Sequence, residues 1–193
     1  IRKKHNNCFF LAIDDLDNRN LGADFLLDQT SINNKKRNYK SPGILAGPKF
    51  ALLSNEFNDL RKKSLQEKYK RQSGSLKNKS FYILISLGLY DNKKLLPTLV
   101  NTLSKLDKVN IIVATSSECQ TLPELKNISK KIENMSLILD LENIAELMLK
   151  ADICIGASGM SMWERCCMGL PSLTITIANN QKKITKETSD LNI

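Results

Sequence analysis

The sequence lacks long apolar runs, has few aromatic residues and contains a single histidine. Aromatic side chains make up 6% of the 193 residues, and tryptophan occurs once. No apolar run approaches the roughly 18 residues that a bilayer crossing requires, and the start of the chain shows no signal-peptide pattern. We therefore expect no stable membrane insertion. The histidine, His5, lies in a polar stretch, so we interpret it as a solvated surface residue and not as a catalytic base.

Metal-binding and cofactor-binding motifs are also missing. The cysteines have no metal-type spacing, and their odd number fits a reducing cytoplasm better than a disulfide framework. Neither a Walker P-loop nor an intact Gly-x-Gly-x-x-Gly occurs, which disfavours ATP hydrolysis and standard nicotinamide binding. The sequence therefore predicts a cytoplasmic protein with no metal site and no cofactor. The five cysteines are Cys8, Cys119, Cys154, Cys166 and Cys167.

The chain does carry a net charge of +9, from 29 basic and 20 acidic residues. A basic balance can indicate a nucleic acid or an anionic membrane surface as partner. Apart from Tyr69, the basic clusters at residues 35–37, 61–63, 68–71 and 130–131 have no interleaved aromatic residues, and they show no recognition-helix pattern. We interpret them as solvated surface and expect no nucleic-acid partner. A modest bias toward small anionic ligands such as nucleotide diphosphates is compatible with this charge.

From residue 81 onward, short apolar runs alternate with amphipathic segments. Such alternation is typical of a parallel sheet with crossover helices on both faces. The predicted strands are residues 81–86, 109–114, 136–139, 153–155 and 173–177, and the predicted helices are residues 93–106, 122–132 and 144–149.

The pattern before residue 81 is weaker. It predicts strands at residues 8–13 and 25–27, a possible third strand after the Gly47-Pro48 break, and a charged helix from residue 55. A linker is expected at residues 72–79, and a polar tail without a closing apolar helix after residue 181.

Ligands of open α/β sheets bind beyond the carboxyl ends of the strands. This rule predicts that five segments with small or polar residues share one edge, and their convergence favours a nucleotide site. Two of the segments also have an explanation that needs no ligand. A cap or turn explains residues 115–117, and the start of a helix explains residues 140–143. The five segments are residues 87–91, 115–117, 140–143, 156–161 and 178–181.

Asp14 and Asp15 follow the first predicted strand. Paired carboxylates at a strand end can orient a sugar or a water, or bind a cation, so these two residues are possible catalytic residues. Aspartate at a strand end is equally common in turns.

The segment from Gly156 to Pro171 predicts a strand, a turn of small residues and a helix. Free N–H groups at such a turn suit phosphate, and Glu164, one turn into the helix, is placed to reach a sugar hydroxyl. Ser161-x-x-Glu164 is also a capping box, which needs no ligand. Trp163 is expected to pack this helix on the sheet. Spacing alone leaves both interpretations of Glu164 open.

The run Trp163-Glu-Arg-Cys-Cys-Met-Gly-Leu-Pro171, with Gly156-Ala-Ser-Gly159 before it, resembles the signature of a UDP-sugar hydrolase family of pseudaminic acid biosynthesis. The family enzyme is UDP-2,4-diacetamido-2,4,6-trideoxy-β-L-altropyranose hydrolase. The chain is more distantly similar to the N-acetylglucosaminyltransferase of lipid II synthesis, which has a GT-B fold. Further segments that agree in order are Ile13-Asp-Asp15, Leu21-Gly-Ala-Asp24, Gly47-Pro-Lys-Phe-Ala-Leu-Leu53, Asn143-Ile-Ala-Glu-Leu-Met148 and Asn180-Gln181.

The resemblance implies a GT-B-like α/β fold in three parts. Residues 1–57 would be the C-terminal part of an N-terminal α/β domain, residues 58–78 a linker helix and loop, and residues 79–193 a truncated, UDP-binding Rossmann-like C-terminal domain. It also implies that Glu164 holds the ribose hydroxyls, and that Asn180 and Gln181 contact the sugar. The implied nucleotide-binding residues are Gly88 and Ser158, Gly159, Met160 and Ser161 at the diphosphate, the backbone of Asn143 and Ile144 at the uracil, and Glu164.

The implied reaction removes UDP from a UDP-linked 2,4-diacetamido-2,4,6-trideoxy hexose by water attack at the anomeric carbon. The family's catalytic His loop and a further Tyr would precede Ile1, so no catalytic residue beyond the possible Asp14 and Asp15 is expected here. We therefore expect a monomeric chain that binds UDP weakly and does not turn over the UDP-sugar. Gly88-Leu89 stands where the family has paired glycines. A GT-B glycosyltransferase with a UDP-sugar donor and a non-catalytic nucleotide-sugar-binding module remain alternatives.

Overall fold

The computed structural model describes residues 7–16, 19–32, 39–73 and 80–190. His5, the basic cluster at residues 35–37 and most of the predicted linker lie outside the described residues. The elements in chain order are β1 (Leu11–Ile13), β2 (Phe25–Asp28), β3 (Gly43–Ala46), a 3₁₀ turn (Pro48–Phe50), α1 (Asn55–Gln72), β4 (Phe81–Ser86), α2 (Leu96–Leu103), β5 (Val109–Thr115), α3 (Leu122–Ser129), β6 (Met135–Leu139), α4 (Ala145–Lys150), β7 (Ile153–Ala157), α5 (Ser161–Cys167), β8 (Ser172–Ile175) and α6 (Gln181–Asp190).

The chain divides into two compact units. The first unit comprises residues 1–52 together with residues 178–193, and the second unit comprises residues 53–177. This division differs from the predicted boundaries at residues 57 and 79, because α1 belongs to the second unit and α6 to the first. The return of the chain to its first unit after residue 177 has no local sequence signal, because it depends on contacts between residues far apart in sequence.

The second unit contains a five-stranded parallel sheet in the order β6-β5-β4-β7-β8. The central strand β4 pairs in parallel with β5 on one side and with β7 on the other. The chain therefore builds outward from β4 in one direction, then crosses over and builds in the other, as in Rossmann-type folds. The parallel α/β architecture predicted from the alternating pattern is confirmed.

Alternate side chains of β4 fill two separate cores. Ile83 and Ile85 pack with residues of α2 and α3, while Leu84 packs with residues of α1 and α4 on the opposite face. Both Leu84 and Ile85 are completely buried. Successive strand residues point to opposite faces, so a strand covered by helices on both sides must be apolar along its whole length. This explains the continuous apolar run of the sequence here.

Helix α1 is an integral part of the second unit. The Ser64 hydroxyl donates to the carbonyl of Met168 at 2.7 Å. The Lys68 ammonium donates to the carbonyls of Met148 and Leu149, at 3.0 and 3.1 Å, and to that of Ala151. A cation at the end of α4 complements the helix dipole, and burial lowers the pKa of Lys68 to about 8. The charged face of α1 therefore ties it to α4, rather than marking it as a linker.

The first unit contains a three-stranded parallel sheet in the order β1-β2-β3. The third strand lies before the Gly47-Pro48 break, so the prediction of a strand after it is wrong. Gly47 has a φ of 103°, and Pro48 opens a 3₁₀ turn. Proline has no N–H for a strand ladder, which explains why the strand ends at Ala46.

The prediction of a polar tail after residue 181 is also wrong, because this part of the chain forms α6, Gln181–Asp190. Its buried side chains, Ile184, Glu187 and Thr188, recur at three- and four-residue spacing. One oxygen of Glu187 accepts the backbone N–H of Ile32 at 3.2 Å within the same unit. Among the helices of the described ranges, none has the length and apolar composition that a bilayer crossing requires.

Candidate functional site

The strand order of the second unit reverses between β4 and β7. Ser86 and Gly156 are register partners on these two neighbouring strands, so the loops that follow start side by side. The predicted diphosphate residues Gly88 and Ser158 each lie two positions beyond this pair. Ligands of doubly wound sheets bind at such a reversal point, outside the carboxyl ends of the strands. The structure therefore brings the starts of these two segments together at the reversal point of the sheet.

The loop after β4 is shaped by Gly88 and Asp91. Gly88 is exposed and has a φ of 85°, a conformation that favours glycine. The buried Asp91 carboxylate accepts the N–H groups of Leu95 and Leu96, at 2.8 and 3.1 Å, and the hydroxyl of Thr121 at 2.7 Å. These bonds satisfy free N–H groups at the start of α2. They explain why the helix begins at Leu96 instead of at residue 93.

The loops after β5 and β6 are tied to each other. Asp140 accepts the N–H of Ser117 at 2.9 Å, and this hydrogen bond holds the pKa of Asp140 below its usual value. The Asn143 side chain accepts the N–H of Ala145 at 2.8 Å, at the start of α4. These contacts fit the turn and helix-start interpretations of the two segments. The uracil contact predicted for Asn143 and Ile144 involves only their backbone, so it remains a prediction.

The turn between β7 and α5 brings Ser158, Gly159, Met160 and Ser161 together. Ser158 is buried. The carbonyls of Gly159 and Met160 accept hydrogen bonds from the backbone N–H groups of Met162 and Trp163, both at 2.9 Å. The start of α5 has no side-chain cap, so the capping-box interpretation is wrong. Ser161 lies inside the first turn, where its hydroxyl accepts the Nη1–H of Arg165 at 3.1 Å.

Glu164 lies on the first turn of α5 and is half-buried. Its side-chain carboxylate makes no hydrogen bond or ion pair with the residues that the structure describes. Burial raises the pKa of Glu164, and the neighbouring Arg165 opposes that shift less strongly. Removing a carboxylate from water without a partner is unfavourable, and such groups in a crevice are candidates for a functional role. Glu164 therefore has the properties expected of a ligand-binding carboxylate.

The raised pKa predicts how the stability contribution of Glu164 depends on pH. Its folded-state pKa lies above the ordinary value of 4.5, so its contribution is fully present below that pH and is lost as the pH rises through the folded-state pKa. We expect Glu164→Gln, which cannot ionise, to gain stability relative to the wild type as the pH rises above 4.5 and through the folded-state pKa of Glu164. Urea unfolding at several pH values measures this difference. A difference that does not change with pH would contradict the assignment.

Arg165 is a residue of this site whose role sequence reasoning missed. Its side chain is fully buried and donates to the Ser161 hydroxyl, the Ala157 carbonyl at 3.0 Å and the Ser172 hydroxyl at 3.1 Å. A Cβ on Gly156 would lie 2.5 Å from its Nη1. A glycine inside a strand often marks such a close approach, so Gly156 was the available signal. Arg165 joins the end of β7, the start of α5 and the start of β8.

The first unit holds the other predicted residues. Asp15 accepts the side-chain N–H of Asn180 at 3.4 Å, across 165 positions of sequence. Gln181 begins α6 beside them. Asp14 pairs with Arg19 at 3.0 Å and accepts the N–H of Leu16 at 3.2 Å, which fits its interpretation as a turn residue. The structure thus brings Asp15 and Asn180 together.

Residues 178–181 were predicted to share one sheet edge with the other four polar segments. They belong to the first unit instead, because β8 ends at Ile175 and the chain leaves the second unit after residue 177. Among the described residues, no cluster of three or more His, Cys, Asp or Glu side chains is placed to hold a metal ion.

Solved structures share this architecture. MurG of Acinetobacter baumannii superposes with a TM-score of 0.58 at 15% identity, over 97% of this chain and 52% of that one. WaaG, a glycosyltransferase involved in lipopolysaccharide biosynthesis, gives 0.51 at 16% identity, over 83% of this chain and 46% of that one. At such identities the likeness shows the fold, so the chain has a GT-B-like α/β fold, as predicted.

Curated proteins are similar in sequence, although no protein-family model matches. The uncharacterized protein MJ1062 of Methanocaldococcus jannaschii is 32% identical over 133 residues, which are 67% of this chain and 26% of that protein. The spore coat polysaccharide biosynthesis protein SpsG of Bacillus subtilis is 28% identical over 151 residues, 76% of this chain and 41% of SpsG. The chain spans less than half the length of these two relatives.

Proposed function

We propose that the second unit binds the UDP part of a sugar nucleotide at the crevice between the β4 and β7 loops. The observation that carries this proposal is the half-buried carboxylate of Glu164, which has no hydrogen-bond or ion-pair partner among the described residues and lies on the helix after β7, where the strand order reverses. Similarity to a polysaccharide biosynthesis protein and the GT-B-like fold support a role in sugar-nucleotide chemistry. The net charge of +9 is favourable for an anionic ligand.

The ribose, the diphosphate and the uracil of UDP each have a chemically suitable partner in the second unit. Two carboxylate oxygens accept hydrogen bonds from neighbouring hydroxyls, so Glu164 holds the ribose. Backbone N–H groups and hydroxyls at Gly88 and along the Ser158–Ser161 turn donate to the diphosphate oxygens. The backbone of Asn143 and Ile144 supplies donors and acceptors to the uracil edge. The ligand thereby gives hydrogen-bond partners to a carboxylate that has none among the described residues.

Asn180 and Gln181 are the residues that we propose contact the sugar. The amides of Asn180 and Gln181 pair with sugar hydroxyls and acetamido groups, and Asp15 orients Asn180 through their hydrogen bond. In a hydrolase, water attacks the anomeric carbon and its C–O bond to the diphosphate breaks. A base takes the proton of the water, and UDP leaves with the bond electrons. The substrate we propose is a UDP-linked 2,4-diacetamido-2,4,6-trideoxy hexose.

A GT-B glycosyltransferase is a second candidate, favoured by the fold likeness to WaaG. It would use the same UDP site but pass the sugar to an acceptor hydroxyl. The two reactions differ in whether water alone suffices for UDP release.

Turnover is tested with the complete polypeptide encoded by the gene and the UDP-linked diacetamido sugar in ¹⁸O-labelled water. A hydrolase releases UDP without an added acceptor and places ¹⁸O on the anomeric carbon of the free sugar. Release of UDP only in the presence of an acceptor would support the glycosyltransferase. UDP binding without either reaction would leave a non-catalytic binding module.

A further inference from the structure

Arg165 is a buried cation that forms no ion pair with the described residues, although the half-buried carboxylate of Glu164 lies near enough to act on it electrostatically. Its side chain is 1% exposed, and its three hydrogen bonds go to neutral oxygens. A buried charge is ordinarily paired, because an isolated ion is costly to remove from water. The guanidinium therefore retains a charge that an anion at the neighbouring turn can neutralise. The ion pairs among the described residues are Arg19–Asp14, Lys70–Glu67 and Arg71–Asp152.

Ser161 connects this cation to the turn. A hydroxyl has one hydrogen to donate and two lone pairs, and Nη1 of Arg165 occupies one lone pair at 3.1 Å. Within the part of the chain that the structure describes, this is the one hydrogen bond of the Ser161 side chain. Its own hydrogen therefore remains available for an acceptor outside the protein. A cationic donor also polarises the O–H bond and strengthens it as a donor.

The guanidinium is held at three points. Its Nη2 donates to the carbonyl of Ala157, the last residue of β7, and its Nε donates to the Ser172 hydroxyl, on the first residue of β8. Ser172 in turn donates to the Leu170 carbonyl at 2.9 Å. Because both strands belong to the same sheet, the Ser161 oxygen is fixed relative to that sheet.

We propose that Arg165 is a positioning residue for diphosphate recognition, which holds the Ser161 hydroxyl as a hydrogen-bond donor to a phosphate oxygen and supplies a favourable charge behind it. This inference rests on the proposed function, since it concerns the same nucleotide site. Arg165 acts through Ser161 and does not itself contact the ligand.

The test compares UDP with uridine, which has the same base and ribose but no phosphate. We expect Ser161→Ala to lower UDP affinity about tenfold, as for the loss of one hydrogen bond to a charged group, and to leave uridine affinity unchanged. Ser161→Thr keeps the hydroxyl and should restore UDP affinity. Arg165→Met should lower UDP affinity by a similar factor, with little further loss when combined with Ser161→Ala. Calorimetric titration measures all of these affinities.

The outcomes separate the two claims. Equal UDP affinity of the wild type and Ser161→Ala overturns the inference and leaves the proposed function intact. A parallel loss of UDP and uridine affinity in Arg165→Met also overturns the inference, because a merely structural role of Arg165 affects the binding of both ligands. If Arg165→Met does not fold, the Ser161→Ala and Ser161→Thr pair decides alone. Absence of UDP binding by the wild type contradicts the proposed function and the inference with it.

Discussion

Glu164→Ala is expected to lower the affinity of the chain for UDP by about 10- to 100-fold. A hydrogen bond to a charged group contributes about 1.5–3 kcal/mol, and about 1.4 kcal/mol corresponds to a factor of ten in affinity. The carboxylate makes no competing bond with the described residues, so its loss does not disturb a structural network. We therefore expect the folded chain to be at least as stable at neutral pH, because an unpartnered carboxylate is removed.

Calorimetric titration with UDP measures the affinity, and Trp163, the single tryptophan, reports unfolding by fluorescence. Glu133→Ala is the matched control, because Glu133 is exposed and lies just before β6, at the opposite edge of the sheet. It should change neither quantity. Unchanged UDP affinity in Glu164→Ala would remove Glu164 from the site. Lower stability with unchanged affinity would indicate a structural role for the carboxylate.

Gly156→Ala is expected to lower the free energy of unfolding by about 3 kcal/mol, from overpacking of a filled core and the loss of a buried hydrogen bond. The new Cβ would lie 2.5 Å from Nη1 and 2.7 Å from Cζ of Arg165. The guanidinium has no free space, because it is fully buried and bonded on three sides. It must move away from its acceptors, which leaves them unsatisfied. Urea unfolding followed by Trp163 fluorescence measures the change.

A double-mutant cycle with Arg165→Ala tests the cause of this loss. If the clash with the guanidinium is responsible, Gly156→Ala should destabilise the Arg165→Ala background far less than the wild type. An equal loss in both backgrounds would show that the alanine disturbs β7 itself, and would contradict the contact we describe. The same cycle also measures how much stability Arg165 contributes.

The sheet of the second unit was predictable because its signals are local. Strands covered on both faces are continuous apolar runs, and amphipathic helices between them show in residue spacing. The helix limits were less predictable, since they depend on side chains such as Asp91, whose bonds to Leu95 and Leu96 set the start of α2. The strand-end rule indicated residues 87–91 and 156–161 as site segments, whereas the diphosphate roles of Gly88 and of the β7–α5 turn came from the family resemblance and stay predictions.

The remaining features depend on contacts between distant residues. Helix α6 has a single buried apolar residue, Ile184, so its sequence alone resembles a tail. The capping box does not form because Ser161 lies one position past the N-cap residue, Met160. Its hydroxyl accepts a hydrogen bond from Arg165, whose side chain also bonds to β7 and β8. No local pattern contains this information. Gly156 indicated only that a neighbouring group packs closely against β7, and did not identify that group as the side chain of Arg165.

An NMR titration of the ¹⁵N-labelled chain with UDP tests the central claim most directly. The account predicts saturable shifts that are largest at the backbone amides of Gly88, Ser158, Gly159 and Ser161, and that are lost in Glu164→Ala but kept in Glu133→Ala. Absence of saturable shifts at millimolar UDP would contradict the account. Shifts confined to residues away from the β4 and β7 loops would contradict it equally.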